Sequence, residues 1–121
     1  MQTQETLFID GQWVAPASRA TIDVISPHTE EVIARVPEGC EADIDRAVAA
    51  ARRAFDEGPW PRLSGPERAE VMGRLLAALQ QRADVMATTI TREMGCPISF
   101  SHLGQVMAAN MVLDYFTRLA R

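Results

Sequence analysis

The spacing of apolar residues changes near residue 40, and this change constrains the fold more than any other feature of the sequence. Before that point, short β-branched runs alternate with turn residues, which is typical of strands joined by tight turns. After it, apolar residues recur three or four positions apart, which is typical of amphipathic helices. The sequence therefore predicts an α+β chain with strands in front and helices behind.

The front of the chain predicts two antiparallel hairpins within residues 7–36. Asp10 and Gly11 separate two short apolar runs, and an Asp-Gly pair favours a type I′ turn because both central residues need a positive φ. Residues 21–26 and 32–36 form a second pair of β-branched runs around a turn. Such hairpins bury little surface in water, so they need another layer to lie on.

The rear predicts helices over residues 41–57, 65–94 and 99–121. Cys40 is placed as the N-cap of the first helix. Ser64 and Glu67 form a capping box that opens the second, in which we expect a bend or break near residues 82–84. Gly95 in a left-handed cap, followed by Pro97, ends that stretch. The last segment is apolar almost all round, so we expect part of its cover to lie outside this chain.

Composition excludes several classes of function. The chain has 121 residues, is 47% hydrophobic and carries a formal net charge of −4, with no basic cluster that would bind nucleic acid. No apolar run approaches the roughly 20 residues that span a bilayer, and the polar residues 1–5 do not resemble a secretory signal, which predicts a cytoplasmic protein. Lysine is absent, which excludes a Schiff-base lysine.

Five segments, taken in order, resemble the beginning of the NAD(P)-dependent aldehyde dehydrogenase superfamily. They are LFIDGQW at 7–13, ISPHTEEVIA at 25–34, DIDRAVAAARRAF at 43–55 with the following Trp60, EMGCP at 93–97 and VLDYF at 112–116. Their order and spacing run through nearly the whole chain. The resemblance implies the N-terminal section of the cofactor-binding domain of an α/β enzyme, and about a quarter of a complete member.

The resemblance also implies a function for the complete enzyme. A cysteine attacks an aldehyde, hydride passes to NAD or NADP, and a glutamate-activated water releases the carboxylic acid. That thiol, that glutamate and the dinucleotide site lie downstream in the family, and the complete enzyme is expected to be a homo-oligomer. Independently, no Gly-x-Gly occurs here, so this chain offers no phosphate cradle.

The residues that look reactive have simpler structural interpretations. Cys40 is interpreted as a substituted helix cap and Cys96 as a loop residue without a partner base, so no catalytic residue is assigned. His28 and His102 are 74 positions apart in sequence without accompanying thiolates, which argues against zinc.

The resemblance implies one metal site and one substrate surface. In many family members a potassium or sodium ion is held by backbone carbonyls and an acid that correspond here to Val24, Ile25 and Glu93, and oxygen ligands suit such a hard cation. The last helix of the family borders the aldehyde tunnel, which would bring Ala108, Met111 or Tyr115 near substrate. Core packing is the simpler interpretation of these three residues.

Two departures from the family pattern carry expectations of their own. Glu30 stands where glycine is usual, so we expect a left-handed residue that costs about 1 kcal/mol. Thr117 and Arg118 stand where the family usually has two small residues after the paired aromatics, so the last predicted helix carries a bulky charged side chain there.

Two hypotheses of different class follow from the sequence. The first is an N-terminal portion of an aldehyde dehydrogenase that is inactive alone and works with the remainder of the enzyme. The second is a free-standing interaction module, or a truncated gene remnant, that binds a full-length homologue through exposed apolar faces. A small enzyme that uses Cys40 or Cys96 is a weaker third hypothesis.

Overall fold

A computed structural model describes the backbone from residue 2 and the side chains from residue 3 through to Arg121. The described residues form two compact units, the first ending at Pro61 and the second running over Arg62–Arg121. The first unit holds the strands and one helix, and the second is entirely helical. The predicted α+β class, with hairpins in front and helices behind, is confirmed.

The first hairpin consists of β2 (Leu7–Ile9) and β3 (Gln12–Val14). Asp10 and Gly11 have φ values of 56° and 75°, as the predicted turn requires. Phe8 and Trp13 face each other across the pair with ring centroids 5.1 Å apart.

In the second sheet, β4 (Thr21–Ile25) is an edge strand and lies antiparallel to the central strand β5 (Val32–Pro37). The two-residue strand β1 (Gln2–Thr3) lies parallel to β5 and was not predicted, because its polar sequence has no strand pattern and it pairs through its backbone. A register shift between Val24 and Ile25 marks an irregularity in β4. In the turn that follows, Glu30 has a φ of 59°, so the expected left-handed residue is confirmed.

The helix α1 (Glu41–Asp56) ends one residue before the predicted boundary and packs on β2 through its alanine face, which includes the buried Ala50. Arg53 ties the hairpin turn to this helix through a 2.6 Å ion pair with Asp10. Larger apolar residues on another side of α1 stay exposed, namely Ile44, Val48 and Phe55. A 3₁₀ turn, Trp60–Arg62, follows in the chain.

The predicted helix over residues 65–94 is two helices, α2 (Gly65–Gln81) and α3 (Ala83–Met94). Arg82 separates them with φ −108° and ψ 13°, which is not helical, and this lies where the bend or break was expected. The capping box at Ser64 is present, with the Glu67 carboxylate accepting from the Ser64 backbone N–H at 2.7 Å. Gly95 ends α3 with a φ of 72°, as predicted.

The last helix differs from the regular helix predicted over residues 99–121. It begins with the turn α4 (Ile98–Phe100), continues as a π-helix over Ser101–Met107 and ends as α5 (Ala108–Leu119). At Gly104 an added Cβ would lie 2.7 Å from Cε2 of Phe100, so the ring occupies space that any other residue would fill. The hydrogen bonds of a π-helix span one residue more than those of an α-helix, so its side chains lie on faces that a 3.6-residue period does not predict.

The helices α2 and α5 pack against each other in the second unit. An added Cβ at Gly65 would lie 2.3 Å from the carbonyl oxygen of Ala120, so the two backbones approach closely there. Ala69, Leu76, Ala87 and Val106 are the buried apolar residues of this unit. The core is therefore thin, and many large apolar side chains stay at the surface.

Candidate functional site

Val24, Ile25 and Glu93 are the residues that were expected to hold a monovalent cation. Val24 and Ile25 lie at the irregularity of β4, in the first unit. Because β4 is the edge strand, alternate carbonyls of its backbone face away from β5. Glu93 lies in the last turn of α3, in the second unit, is exposed, and has no ion-pair or hydrogen-bond partner for its carboxylate among the described residues. Carbonyl and carboxylate oxygens are the ligand atoms that a hard monovalent cation prefers, and each of these three residues carries such an atom.

A buried carboxylate in the first turn of α1 organises the first unit. Asp43 is 2% exposed and accepts hydrogen bonds from the backbone N–H of Ala17 at 3.0 Å and of Cys40 at 3.1 Å. Arg46 pairs with the same carboxylate at 2.5 Å and also donates to the Ala15 carbonyl at 3.1 Å. The N–H of Cys40, then that of Ala17, holds the pKa of Asp43 well below its usual range against the opposing effect of burial, with Arg46 adding to the shift.

These contacts give Asp43 a structural role. They attach the loop after the first hairpin to the start of α1, because the loop's own N–H and C=O groups reach Asp43 and Arg46. The spacing Cys40-x-x-Asp43, in which the third helical residue bonds back to the cap, is the local signal that could have indicated it.

Each of the two cysteines has a polar side chain as its partner. The Cys40 Sγ donates to the Asp43 carboxylate at 3.3 Å, at the N-cap position that was predicted. The Cys96 Sγ lies 3.0 Å from the Oγ of Ser101, which in turn lies 2.7 Å from the Oγ1 of Thr91. Ser101 is fully buried, so this cluster ties the end of α3 to the beginning of the last helix. Ser101 has no sequence signal that indicates this role.

The two histidines lie in different units. His28 is exposed in the turn after β4, and the Nδ1 atom of His102 lies 3.9 Å from Oδ1 of Asp84. Among residues 2–121, no group of three or more His, Cys, Asp or Glu side chains could hold a metal ion.

A groove of about 440 Å³ runs along the second unit between the end of α2, the π segment and α5. Its walls are mostly apolar and its polar groups are amide, carboxylate and imidazole, with no thiol or hydroxyl nucleophile: Gln80, Ala83, His102, Leu103, Val106, Met107, Asn110, Met111 and Asp114. Of the three residues expected near substrate, Met111 lines this groove, while Ala108 and Tyr115 do not. The groove can take an apolar group.

The order of these elements matches that of known proteins. The model of the aldehyde dehydrogenase family matches residues 13–121. The chain belongs to the aldehyde dehydrogenase family. Aldehyde dehydrogenase 1 of Tanacetum cinerariifolium is 40% identical over 114 residues, which are 94% of this chain and 23% of that protein. The betaine aldehyde dehydrogenase of Bacillus subtilis is 35% identical, over 96% of this chain and 24% of its own length.

Solved structures of aldehyde dehydrogenases match the fold. The aldehyde dehydrogenase of Mycobacterium tuberculosis complexed with NAD+ superposes with a TM-score of 0.93 at 36% identity, over 98% of this chain and 25% of that one. A mutant of aldehyde dehydrogenase C from Pseudomonas syringae, in complex with NAD+ and octanal, superposes with a TM-score of 0.90 at 41% identity, over 96% and 24%. The chain thus spans about a quarter of the length of the aldehyde dehydrogenases it matches. In the described part of the chain, no helix has both the length and the apolar character needed to cross a membrane.

Proposed function

We propose that this chain is the N-terminal section of an NAD(P)-dependent aldehyde dehydrogenase, which oxidises an aldehyde to a carboxylic acid when complete. The observation that carries the proposal is the superposition of 98% of the chain on one quarter of an NAD+-bound aldehyde dehydrogenase. The motifs at 7–13, 25–34, 43–55, 93–97 and 112–116 follow one another as they do in that family.

By itself the chain is proposed to be inactive. Cys40 and Cys96 bond to a carboxylate and to a serine, respectively, and neither is beside a histidine that could act as its base. The sequence also lacks a Gly-x-Gly turn for a dinucleotide phosphate. The chain then contributes structure: it builds the first part of the cofactor domain and one apolar groove.

A chimera tests this function. The aligned N-terminal quarter of the M. tuberculosis enzyme is replaced by residues 1–121 of this chain, and NADH formation is followed with acetaldehyde, benzaldehyde or octanal. We expect aldehyde-dependent NADH formation by the chimera and none by the 121-residue chain alone or by the host without its first quarter. A folded chimera with no turnover would argue against the proposal, as would turnover by the isolated chain.

The cation site is proposed for the complete enzyme. The carbonyls of Val24 and Ile25 and the carboxylate of Glu93 would contribute oxygen ligands to a potassium or sodium ion. In the chimera, Glu93→Ala should remove the increase in melting temperature that KCl gives over a chloride salt of a large organic cation, while Glu70→Ala on the exposed face of α2 should leave it unchanged. If Glu93→Ala keeps the full potassium response, Glu93 is not a ligand.

The second candidate is an interaction module that binds a full-length homologue, and the many exposed apolar side chains favour it. A cooperative melt with a monomeric sedimentation profile would support the module, whereas dye binding and aggregation would support a section that needs its remainder. The cytoplasmic location and the homo-oligomeric state of the complete enzyme stay predictions.

A further inference from the structure

The last helix of the chain is apolar on two opposite faces. One face, which includes the half-buried Leu113 and the buried Thr117, packs against α2. The opposite face carries large apolar side chains at positions i, i+3, i+4 and i+7, and each is more than half exposed: Val112 (57%), Tyr115 (61%), Phe116 (52%) and Leu119 (66%). We call these four residues the outer face of α5.

The outer face has the character of a buried surface. The charged residues of α5, Asp114 and Arg118, bond to each other at 2.7 Å over one helical turn and lie beside this face rather than within it. Tyr115 and Phe116 form an edge-to-face contact with ring centroids 5.3 Å apart, as aromatic residues do in cores. A helix that is apolar on both sides is found between two layers, and the described chain supplies one layer.

The match to complete enzymes indicates what the second layer is. An aldehyde dehydrogenase from Bartonella henselae superposes with a TM-score of 0.93 over 99% of this chain, but this is only 25% of that chain. We propose that the outer face of α5 is a docking surface for the remainder of an aldehyde dehydrogenase fold, either continuous with this chain or supplied as a separate chain. This proposal rests on the proposed function, and it adds the surface at which this chain contacts the remainder of the enzyme. The docked layer is apolar and supplies a hydrogen-bond partner for the Tyr115 hydroxyl, because a buried phenol needs one.

Cysteine accessibility tests the docking surface. In a background with Cys40→Ser and Cys96→Ser, Val112→Cys is the probe and Glu70→Cys, on the exposed side of α2, is the control. Each is labelled with a maleimide in the isolated chain and in the chimera with the M. tuberculosis enzyme, and the labelled peptide is quantified by mass spectrometry. We expect Val112→Cys to react at least about tenfold more slowly in the chimera than in the isolated chain, and Glu70→Cys to change by less than about twofold.

If Val112→Cys is labelled as fast in a folded chimera as in the isolated chain, the outer face of α5 is not a docking surface. An active chimera with unprotected Val112→Cys contradicts only this inference, and an inactive chimera with protected Val112→Cys contradicts only the proposed function. If Val112→Cys disturbs folding, the 121-residue chain is instead mixed with the separately expressed remainder of the M. tuberculosis enzyme, and their binding is measured. Leu119→Glu should weaken this binding at least about tenfold, whereas the control Glu70→Lys should not. If neither arrangement gives a complex, or if the outer face pairs two copies of this chain in preference to the remainder, the proposal is wrong.

Discussion

At the scale of single residues, Asp43 makes the first unit sensitive to acid. Its folded pKa lies below the ordinary value of about 3.9, so its contribution is fully present above that pH and is lost as the pH falls through the folded pKa. Asp43→Asn should lower the melting temperature at neutral pH and flatten its decline below about pH 4. The control Asp45→Asn changes an exposed neighbour and should leave both nearly unchanged.

Thermal melts over a pH series measure this difference. The Asp43→Asn variant should keep part of the acid slope, because Glu67, whose pKa is lowered mainly by its hydrogen bond with the Ser64 side chain, contributes in the same direction. If the melting temperatures of the wild type and of Asp43→Asn fall in parallel as the pH falls, then the hydrogen bonds from the Ala17 and Cys40 N–H groups stabilise the fold equally with a charged and a neutral side chain.

Glu30 carries backbone strain at a single position. Its φ of 59° places a β-carbon where glycine has none, which costs about 1 kcal/mol. We expect Glu30→Gly to raise the free energy of unfolding by about 0.5 kcal/mol at most, because the added freedom of the unfolded chain offsets much of the relieved strain. The next residue, Glu31, is the control. Glu31→Gly adds conformational freedom to the unfolded chain without relieving a positive φ, so it should lower the free energy of unfolding. Denaturation midpoints that move in the same direction for both variants would contradict this account.

At the scale of elements, two glycines of the second unit have opposite roles. Gly95 ends α3 with a φ of 72°, where a side chain is strained, while Gly73 lies inside α2 with open space where a Cβ would stand. Gly95→Ala should therefore destabilise by about 1 kcal/mol and Gly73→Ala should stabilise by about 0.5–1 kcal/mol. Unfolding in denaturant measures both. An unchanged midpoint for Gly95→Ala would mean that the end of α3 does not contribute to the stability that is measured.

The elements predicted from sequence are those with a local physical cause. The turn at Asp10 and Gly11 and the cap at Gly95 each follow from a backbone angle that few residues adopt. The strand β1 was missed because it forms by pairing with a distant strand. The π-helix was missed because the apolar spacing over residues 101–107 also fits a regular α-helix. Periodicity also does not tell which apolar face of a helix is covered within this chain.

Candidate sites divide in the same way. The capping role of Cys40 could be predicted, since it depends on a spacing of three residues. The partners of Asp43 and Ser101 could not, because they include a loop N–H 26 residues away and hydroxyl and thiol groups that only the folded chain brings together. The cation residues came from the resemblance, and local patterns alone would not have selected backbone carbonyls at Val24 and Ile25.

At the scale of the whole molecule, one substitution should have opposite consequences in two contexts. Leu119 is 66% exposed here, so Leu119→Gln in the isolated chain should change the free energy of unfolding by less than about 0.5 kcal/mol and should reduce binding of a dye that reports apolar surface. In a chimera whose remainder covers α5, the same change puts an amide into an apolar layer and should cost about 2–4 kcal/mol. The control Glu70→Gln should have little effect in either context. Equal effects of Leu119→Gln on the free energy of unfolding in the two contexts would mean that Leu119 has the same surroundings in both. The remainder of the enzyme would then not cover this apolar surface of α5.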